Sequence, residues 1–156
     1  MNSLDRFRPA TSGPTAVFLD TSALFAYFHP GADEHEQATA FLQAVGENQI
    51  PYRPLYTSTY VLDELATLLL SKGTHELAMV ALDRTLDSEH VTVISEDEDE
   101  FAAAREAFER YDDHEISFTD QLSSIQMRER DIGYVFAYDG DFSTLGFEQL
   151  PLSGPV

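Results

Sequence analysis

A chain of 156 residues is long enough for one domain that buries roughly two-thirds of the surface exposed by the unfolded chain, so folding requires neither disulfide nor metal. Its 28 acidic and 9 basic residues give a net charge of −19, and 43 % of its residues are hydrophobic. The hydrophobic content excludes an acidic disordered protein, the absence of cysteine excludes a disulfide framework, and no stretch approaches the roughly 18 apolar residues of a membrane span.

Acidic residues occur in every predicted helix except the short one at 21–28, and Lys72 is the single lysine. Two explanations remain: a solvated surface adapted to high salt, or a surface that binds a basic partner. We favour the first, because this composition resembles that of proteins from salt-accumulating cytoplasms, where the Debye length falls to about 3 Å at molar salt and repulsion is screened. Residues 1–14 lack the apolar core of a signal peptide, so a soluble, cytoplasmic protein is expected.

Residues 1–15 contain two prolines and a glycine and are expected to be an irregular, partly mobile lead-in. Arg6 and Arg8 could contact phosphate there, although a solvated tail is the simpler expectation. The apolar run 16–19 ends at Asp20 and predicts a buried parallel strand. The domain is expected to span residues 16–150, followed by a tail at 151–156.

The remaining elements follow from apolar periodicity and from capping residues. Further strands are predicted at 55–57, 91–94 and 134–138, with an edge strand at 147–150. Helices are predicted at 21–28, 33–48, 58–72, 74–88, about 96–111, and from Ser117 or Thr119 to Arg130, with a loop at 112–115. Strands separated by helical stretches indicate an α/β fold with a parallel sheet.

Five consecutive acids occupy residues 96–100. Acids are favourable at the amino end of a helix, so we expect a solvated helix start there rather than a cation site. The five histidines show no spacing typical of metal ligands.

Carboxylates occupy four positions that a doubly wound sheet brings to one edge. Asp20 and Asp139 end two predicted strands, whereas Glu64 and Asp120 lie near the starts of two predicted helices. A group of carboxylates without histidine or cysteine suits Mg²⁺ or Mn²⁺ better than zinc. Such a group would be costly without a cation, because close like charges raise at least one pKa.

Four segments resemble, in order, the motifs of the PIN domain family. They are Phe18-Leu19-Asp20-Thr21-Ser22-Ala23-Leu24, Thr57-Ser58 with Val61-Leu62-Asp63-Glu64-Leu65, Ser117-Phe118-Thr119-Asp120, and Tyr138-Asp139-Gly140-Asp141-Phe142. The resemblance covers about residues 16–150 and is strongest to VapC-type toxins, which are small ribonucleases that often pair with an antitoxin.

This resemblance implies a three-layer α/β/α fold with about five parallel strands, Mg²⁺- or Mn²⁺-dependent cleavage of RNA, and frequent dimerisation. Asp20, Glu64, Asp120 and Asp139 match the acidic quartet of the family, and Asp141 matches the additional acid of its last motif. Thr21, Ser22 and Thr119 match hydroxyl positions beside those acids. A VapB-like antitoxin is the expected partner, with RNA as substrate and a homodimer as the expected assembly.

Two departures from the family pattern are visible. Ala137 and Tyr138 stand where the family often has a threonine before the last acid, and the first aspartate, at residue 20, lies further from the start than is common. The acidic surface must also admit anionic RNA, for which phosphate contacts normally come from Lys and Arg. The candidates are Lys72, Arg53, Arg84, Arg105, Arg110, Arg128 and Arg130, of which Arg128 and Arg130 could border the cleft or be solvated charges at a helix end.

Two other functions compete with a toxin ribonuclease. A PIN-fold module that has lost useful turnover would serve as a binding or scaffold partner. A phosphatase or phosphoacceptor domain fits less well, because Ser22 replaces the second aspartate of an Asp-x-Asp motif and Lys72 does not end a predicted strand.

Overall fold

The computed structural model describes residues 4–112 and 116–153, so residues 113–115 of the predicted loop and the extreme ends of the chain lie outside the described residues. The strands are β1 (Thr15–Leu19), β2 (Tyr52–Ser58), β3 (Val91–Ile94), β4 (Tyr134–Phe136) and β5 (Glu148–Leu150). The α-helices are α1 (Thr21–Phe28), α2 (His35–Gly46), α3 (Thr59–Lys72), α4 (His75–Asp87), α5 (Glu98–Arg110) and α6 (Phe118–Glu129).

The five strands form one sheet in the order β3-β2-β1-β4-β5, and every neighbouring pair is parallel. The predicted α/β/α architecture is therefore confirmed. The chain runs outward from β1 to β2 and β3 on one side and places β4 and β5 on the other. The strand order thus reverses between β1 and β4, which is where open α/β sheets place their ligands. No helix in the described ranges combines the length and apolar character needed to cross a membrane.

Two strands differ in length from the sequence prediction. β2 begins at Tyr52 rather than at residue 55, because it pairs with β1 from that residue onward. β4 ends at Phe136 rather than at residue 138, because the amides of Tyr138 and Asp139 donate to the Ser22 hydroxyl instead of continuing the ladder.

Aromatic side chains form the centre of the core, and one of them comes from the lead-in. Phe7 lies in a short 3-10 turn at Asp5–Phe7 and is fully buried. Its ring stacks on Phe41 with centroids 4.3 Å apart and meets Phe136 edge-on, and the Tyr52 hydroxyl donates to the Phe7 carbonyl. Residues 4–12 therefore include an anchored turn, which the proline and glycine content of the lead-in does not indicate.

The acidic run at 96–100 starts α5, as predicted, but it is not uniformly solvated. Asp97 caps the helix, accepting from the Glu100 amide, while the Glu100 carboxylate accepts from the Asp97 amide. Glu100 is only 1 % exposed and accepts from Arg130 at 2.9 Å. This contact joins α5 to the end of α6.

Candidate functional site

Asp20 lies at the junction of β1 and α1, at the carboxyl edge of the sheet. Its amide donates to the Phe136 carbonyl of β4, and its carbonyl accepts from Leu24 in the first turn of α1. The Asp20 side chain caps α1 by accepting from the Ser22 amide, and the residue is 4 % exposed. Asp20 is therefore a helix cap, as well as a candidate metal ligand.

The Ser22 hydroxyl connects the first and last acidic motifs. It donates to Asp20 Oδ2 at 2.8 Å and accepts from the amides of Tyr138 at 2.9 Å and Asp139 at 3.0 Å. A hydroxyl has one proton to donate and two lone pairs to accept with, so all of its capacity is used. Ser22 consequently fixes the Asp20 side chain relative to the backbone that carries Asp139.

The other three acids of the quartet come from three different elements. Glu64 lies in the second turn of α3 and is exposed, Asp139 follows β4 and is exposed, and Asp120 lies in the first turn of α6. The Ser117 hydroxyl caps α6 by accepting from the Asp120 amide at 3.1 Å. The order β2-β1-β4 brings the segments that carry these acids to one edge of the sheet.

Electrostatic interactions connect the Asp120 carboxylate with each of the other three. Burial, and then the Asp120 carboxylate, raises the pKa of Asp20 to about 7, although hydrogen bonds from Ser22 lower it. Burial, then Glu64 and to a smaller extent Asp139, raises the pKa of Asp120 to about 6. None of the main influences on these two groups is an Arg or a Lys. In the metal-free protein the ionised form of each is therefore less stable than it would be in water.

Gly140 packs directly against the Asp120 carboxylate. Its φ is +86°, and a Cβ at this position would lie 3.2 Å from Asp120 Oδ2 and 3.2 Å from the Phe142 ring. The left-handed conformation and the close approach both favour glycine here. The sequence indicated only a turn after Asp139, so the packing of Gly140 against the third acidic motif was not predicted.

The remaining predicted site residues flank these acids. Asp141 Oδ1 and Oδ2 accept from the Thr144 amide and hydroxyl, which holds Asp141 in the turn after β4. Thr21 is buried, and its hydroxyl has no hydrogen-bond partner among the described residues. Thr119 is half-buried in the first turn of α6, next to Asp120.

The carboxylate oxygens of the site suit a divalent cation, but in this arrangement the side chains do not enclose one. Hard carboxylate oxygens with raised pKa values are the groups that Mg²⁺ or Mn²⁺ would stabilise in their ionised form. Across residues 4–112 and 116–153, however, no three His, Asp or Glu side chains form a group that could hold a metal ion. The carboxylates thus agree with a metal site in chemistry, while coordination would require exposed side chains such as Glu64 and Asp139 to reorient.

The predicted basic candidates are held by other contacts. Arg128 donates to the Leu145 carbonyl at 2.6 Å and lies over the Phe147 ring, and Arg130 binds Glu100 and the Gln126 carbonyl. The other candidates also have contacts: Lys72 and Arg84 with aromatic rings, Arg53 with Asn48, and Arg105 and Arg110 with acids one turn away. Arg128 and Arg130 are exposed, and each also contacts a neighbouring element, so their role toward the substrate stays a prediction.

Two histidines serve the fold. His29 Nδ1 accepts from the Gly31 amide, so its Nε2 donates to the Lys72 carbonyl at 2.8 Å. His35 Nδ1 lies 2.8 Å from the Ala26 carbonyl.

A cavity of about 740 Å³ lies apart from the acids, between α1, α2, the end of α4 and the start of β2, and its walls are mostly apolar.

Comparison with known proteins identifies the family. The PIN domain family model matches residues 17–148. The 23S rRNA-specific endonuclease VapC20 of Mycobacterium tuberculosis is 33 % identical over 138 residues, which cover 86 % of this chain and 97 % of that protein. Its crystal structure, described as that of a sarcin-ricin loop cleaving toxin, has a TM-score of 0.75 and covers 84 % of this chain and 95 % of its own.

A more distant structure shares the fold. VapBC2 from Rickettsia felis, solved bound to a DNA fragment from its promoter, matches with 16 % identity and a TM-score of 0.60, over 88 % of this chain and 96 % of its own. The parallel sheet, the acids at its carboxyl edge and these matches along nearly the whole chain lead to one conclusion: the protein belongs to the PIN domain family.

Proposed function

We propose that this protein is a metal-dependent endoribonuclease that hydrolyses RNA phosphodiester bonds, and that it is the toxin of a VapBC-type toxin–antitoxin pair. One observation carries the proposal: at the carboxyl edge of a PIN-domain sheet, the Asp120 carboxylate interacts with the carboxylates of Asp20, Glu64 and Asp139. The 33 % identity to a 23S rRNA-specific endonuclease supports RNA as the substrate.

The four acids would hold Mg²⁺ or Mn²⁺, with Asp141 beside them. A cation bound there supplies a water of lowered pKa and offsets negative charge on the phosphate. Ser22 holds the Asp20 side chain in place. Thr21 and Thr119, which are adjacent in sequence to Asp20 and Asp120, would orient these acids or their bound water. Neither a protein nucleophile nor a histidine base is needed for hydrolysis of this kind.

Asp20→Asn tests this assignment directly, with Asp63→Asn, an exposed neighbour of Glu64 on α3, as the matched control. In molar KCl with Mn²⁺, Asp20→Asn should reduce RNA cleavage by more than the roughly 10- to 100-fold typical of residues that only orient metal ligands. Asp63→Asn should cleave like the parent. Cleavage that survives in Asp20→Asn would remove Asp20 from the catalytic set.

The same variant makes a prediction about stability. Because burial and Asp120 disfavour the charge on Asp20, Asp20→Asn should raise the unfolding temperature of the metal-free protein. Binding of Mn²⁺ to the folded state alone would raise the parent's unfolding temperature, and the variant should lose most of that increment. An equal increment in both proteins, measured by thermal denaturation with and without Mn²⁺, would contradict the metal assignment.

A binding or scaffold module with weak catalysis is the second candidate function. It is favoured by two observations: within the described residues no three acids form a group that could hold a metal, and the basic candidates are held by other contacts. Binding of Mn²⁺ without cleavage of any RNA would support this alternative.

A VapB-like antitoxin would supply the positive charge that the acidic site lacks, for example through an arginine that reaches Asp20 and Asp120. Expression with a small neighbouring reading frame should yield a complex that does not cleave RNA, and removal of that arginine should restore cleavage. We further propose that the free toxin is a cytoplasmic homodimer, which sedimentation of the purified chain would test.

A further inference from the structure

We propose that Tyr138 and Gln149 are positioning residues, which hold the loop that carries Asp139 and thereby set how tightly the acidic site binds a divalent cation. This loop, residues 137–142, follows β4 and is hereafter the Asp139 loop. The inference rests on the proposed function, because it concerns the metal ligands of the same site, but its readouts do not depend on RNA cleavage.

The place of the Asp139 side chain depends on the backbone that carries it. Asp139 and Gly140 are exposed, and their loop contains neither a helix nor a strand. Gly140 packs against the Asp120 carboxylate, because a Cβ at this position would lie 3.2 Å from Asp120 Oδ2. A displacement of the loop would therefore move one acid of the quartet and change the surroundings of another.

Tyr138 attaches the beginning of the loop to α2. Its hydroxyl donates to Gln37 Oε1 at 2.7 Å, across 101 positions of the sequence. Its ring packs edge-on against Phe136, with centroids 5.4 Å apart, and its amide donates to the Ser22 hydroxyl. Contacts to α2, to β4 and to the start of α1 thus fix the residue that directly precedes Asp139.

Gln149 of β5 connects the two ends of the loop. Its Nε2 donates to the Ala137 carbonyl and its Oε1 accepts from the Phe142 amide, each at 3.1 Å. A glutamine side chain carries both a donor and an acceptor, so a single residue can bridge these two backbone groups. Because Phe142 is fully buried, the bridge joins the loop to a residue that is anchored in the core.

Metal binding is sensitive to the position of such a loop. Mg²⁺ requires nearly ideal octahedral coordination, and groups that orient metal ligands contribute about 10- to 100-fold to metal affinity. Tyr138 and Gln149 hold the backbone on both sides of Asp139. Loss of either attachment should therefore weaken cation binding without removing a carboxylate.

A contribution to the stability of the fold alone is the competing explanation, and Tyr134 offers the comparison. The Tyr134 hydroxyl accepts from the Ala10 amide at 2.9 Å. Tyr134 begins β4 and so lies at the end of the strand opposite to the acids, and both tyrosines are half-buried. Loss of either hydroxyl should have a similar effect on the unfolding temperature, but only the loss at Tyr138 should change metal binding.

Mn²⁺ binding tests the proposal in variants that remove one polar group at a time. Tyr138→Phe, Gln37→Met and Gln149→Met preserve side-chain size and charge, and Tyr134→Phe is the matched control. The electron paramagnetic resonance signal of free Mn²⁺ in molar KCl measures the affinity, which should fall about 10-fold in the first three variants and stay at the parent value in the control. Equal losses in Tyr138→Phe and Tyr134→Phe, or no loss in Tyr138→Phe and Gln149→Met, would overturn the proposal.

A double variant identifies the hydrogen bond as the cause. Tyr138→Phe and Gln37→Met remove the same hydrogen bond, so their combination should lower Mn²⁺ affinity no more than either change alone. Losses that add in the double variant would overturn the role of this hydrogen bond in positioning Asp139.

Amide hydrogen exchange measures the attachment of the loop in the metal-free protein. The amides of Tyr138 and Asp139 donate to the Ser22 hydroxyl, and they should exchange faster in Tyr138→Phe and Gln149→Met than in the parent or in Tyr134→Phe. Unchanged exchange in both variants would overturn the proposal, because the loop would then be held without these side chains.

These outcomes are distinguishable from those that test the enzyme. A parent protein that binds Mn²⁺ but cleaves no RNA, with weaker Mn²⁺ binding in Tyr138→Phe and Gln149→Met, would refute the proposed function and support the positioning role. A parent that cleaves RNA with Mn²⁺, with unchanged Mn²⁺ affinity and amide exchange in these variants, would refute the positioning role alone.

Discussion

At the residue scale, Ser22 makes the connection on which the geometry of the candidate site most depends. One hydroxyl holds the carboxylate that follows β1 and the two amides that follow β4. The Ser22 hydroxyl also explains why β4 stops at Phe136, since those amides leave the ladder to reach it. A chain position that resembles only a helix start in sequence therefore organises two motifs that are 117 residues apart.

Ser22→Ala should destabilise the protein by about 1–3 kcal/mol, because two backbone amides and one carboxylate lose a partner in a partly buried site. RNA cleavage should fall as well, since Asp20 is no longer held. Urea unfolding and a cleavage assay would measure the two effects. Ser71→Ala, at an exposed position of α3, should change neither; a Ser22→Ala protein as stable and active as this control would show that the hydroxyl is dispensable.

Gly140→Ala should reduce both stability and activity. The new Cβ would occupy a left-handed conformation that costs about 1–2 kcal/mol for an L-residue, and it would press on Asp120 Oδ2 at 3.2 Å. Gly133→Ala is the matched control, because a Cβ there meets nothing within 4 Å. Thermal unfolding and single-turnover cleavage should change only in Gly140→Ala, and equal effects at both positions would contradict the proposed contact.

At the element scale, α6 is joined to α5 at both of its own ends, by different chemistry. Phe101 and Phe108 meet Phe118 at the start of α6, whereas Glu100 binds Arg130 just after its end. Burial alone would raise the pKa of Glu100, but hydrogen bonds from Arg130 and from the Asp97 amide outweigh it and lower that pKa. The ionised pair thus fixes the helix that carries Asp120.

A carboxylate whose pKa is lower in the folded state than in the unfolded state makes the free energy of unfolding depend on pH. The contribution of Glu100 to stability is complete above its ordinary pKa of 4.5 and is lost as the pH falls through the lower value of the folded protein. Glu100→Gln should therefore be less stable than the parent at neutral pH and should approach it in acid. Glu109→Gln, which alters an exposed pair, is the control, and denaturant unfolding across this pH range is the measurement; a deficit that does not change with pH would exclude the charge as its cause.

At the scale of the whole molecule, the net charge of −19 opposes folding through self-repulsion. Across the described residues the ion pairs Asp5–Arg8, Arg105–Glu109 and Arg110–Glu106 are exposed, and exposed pairs of this kind stabilise little. The repulsion between the acidic residues must therefore be reduced by salt. The same screening would permit an anionic substrate to approach the acids.

Adding KCl from low to molar concentration at neutral pH should raise the unfolding temperature, by about 2–4 °C for each kcal/mol of repulsion relieved in a domain of this size. The increment should shrink as the pH approaches the isoelectric point of about 4.3, where the net charge disappears. Thermal denaturation at both pH values would measure it. An unfolding temperature that is independent of salt at neutral pH would contradict a salt-adapted surface.

The sequence by itself determined the class of fold and the acids to consider. Apolar periodicity and caps located the strands and helices to within a few residues, because burial of one helical face and satisfaction of helix ends are local properties. Their alternation indicated a parallel sheet, and the four motifs indicated the family. The roles of Asp20, Glu64, Asp120, Asp139 and Asp141 remain predictions, for which the structure provides neighbouring positions.

Only the tertiary structure decided which groups contact one another across the chain. The strand order placed the ends of β1 and β4 side by side, and this alone allowed Ser22 to bind Asp20 and the Asp139 backbone together. Long-range packing likewise buried Phe7, paired Glu100 with Arg130, and brought the Phe118 ring of α6 against Phe101 and Phe108 of α5. Local patterns report burial and backbone preference, but they carry no information about which distant partner satisfies a buried hydrogen bond or covers an exposed ring.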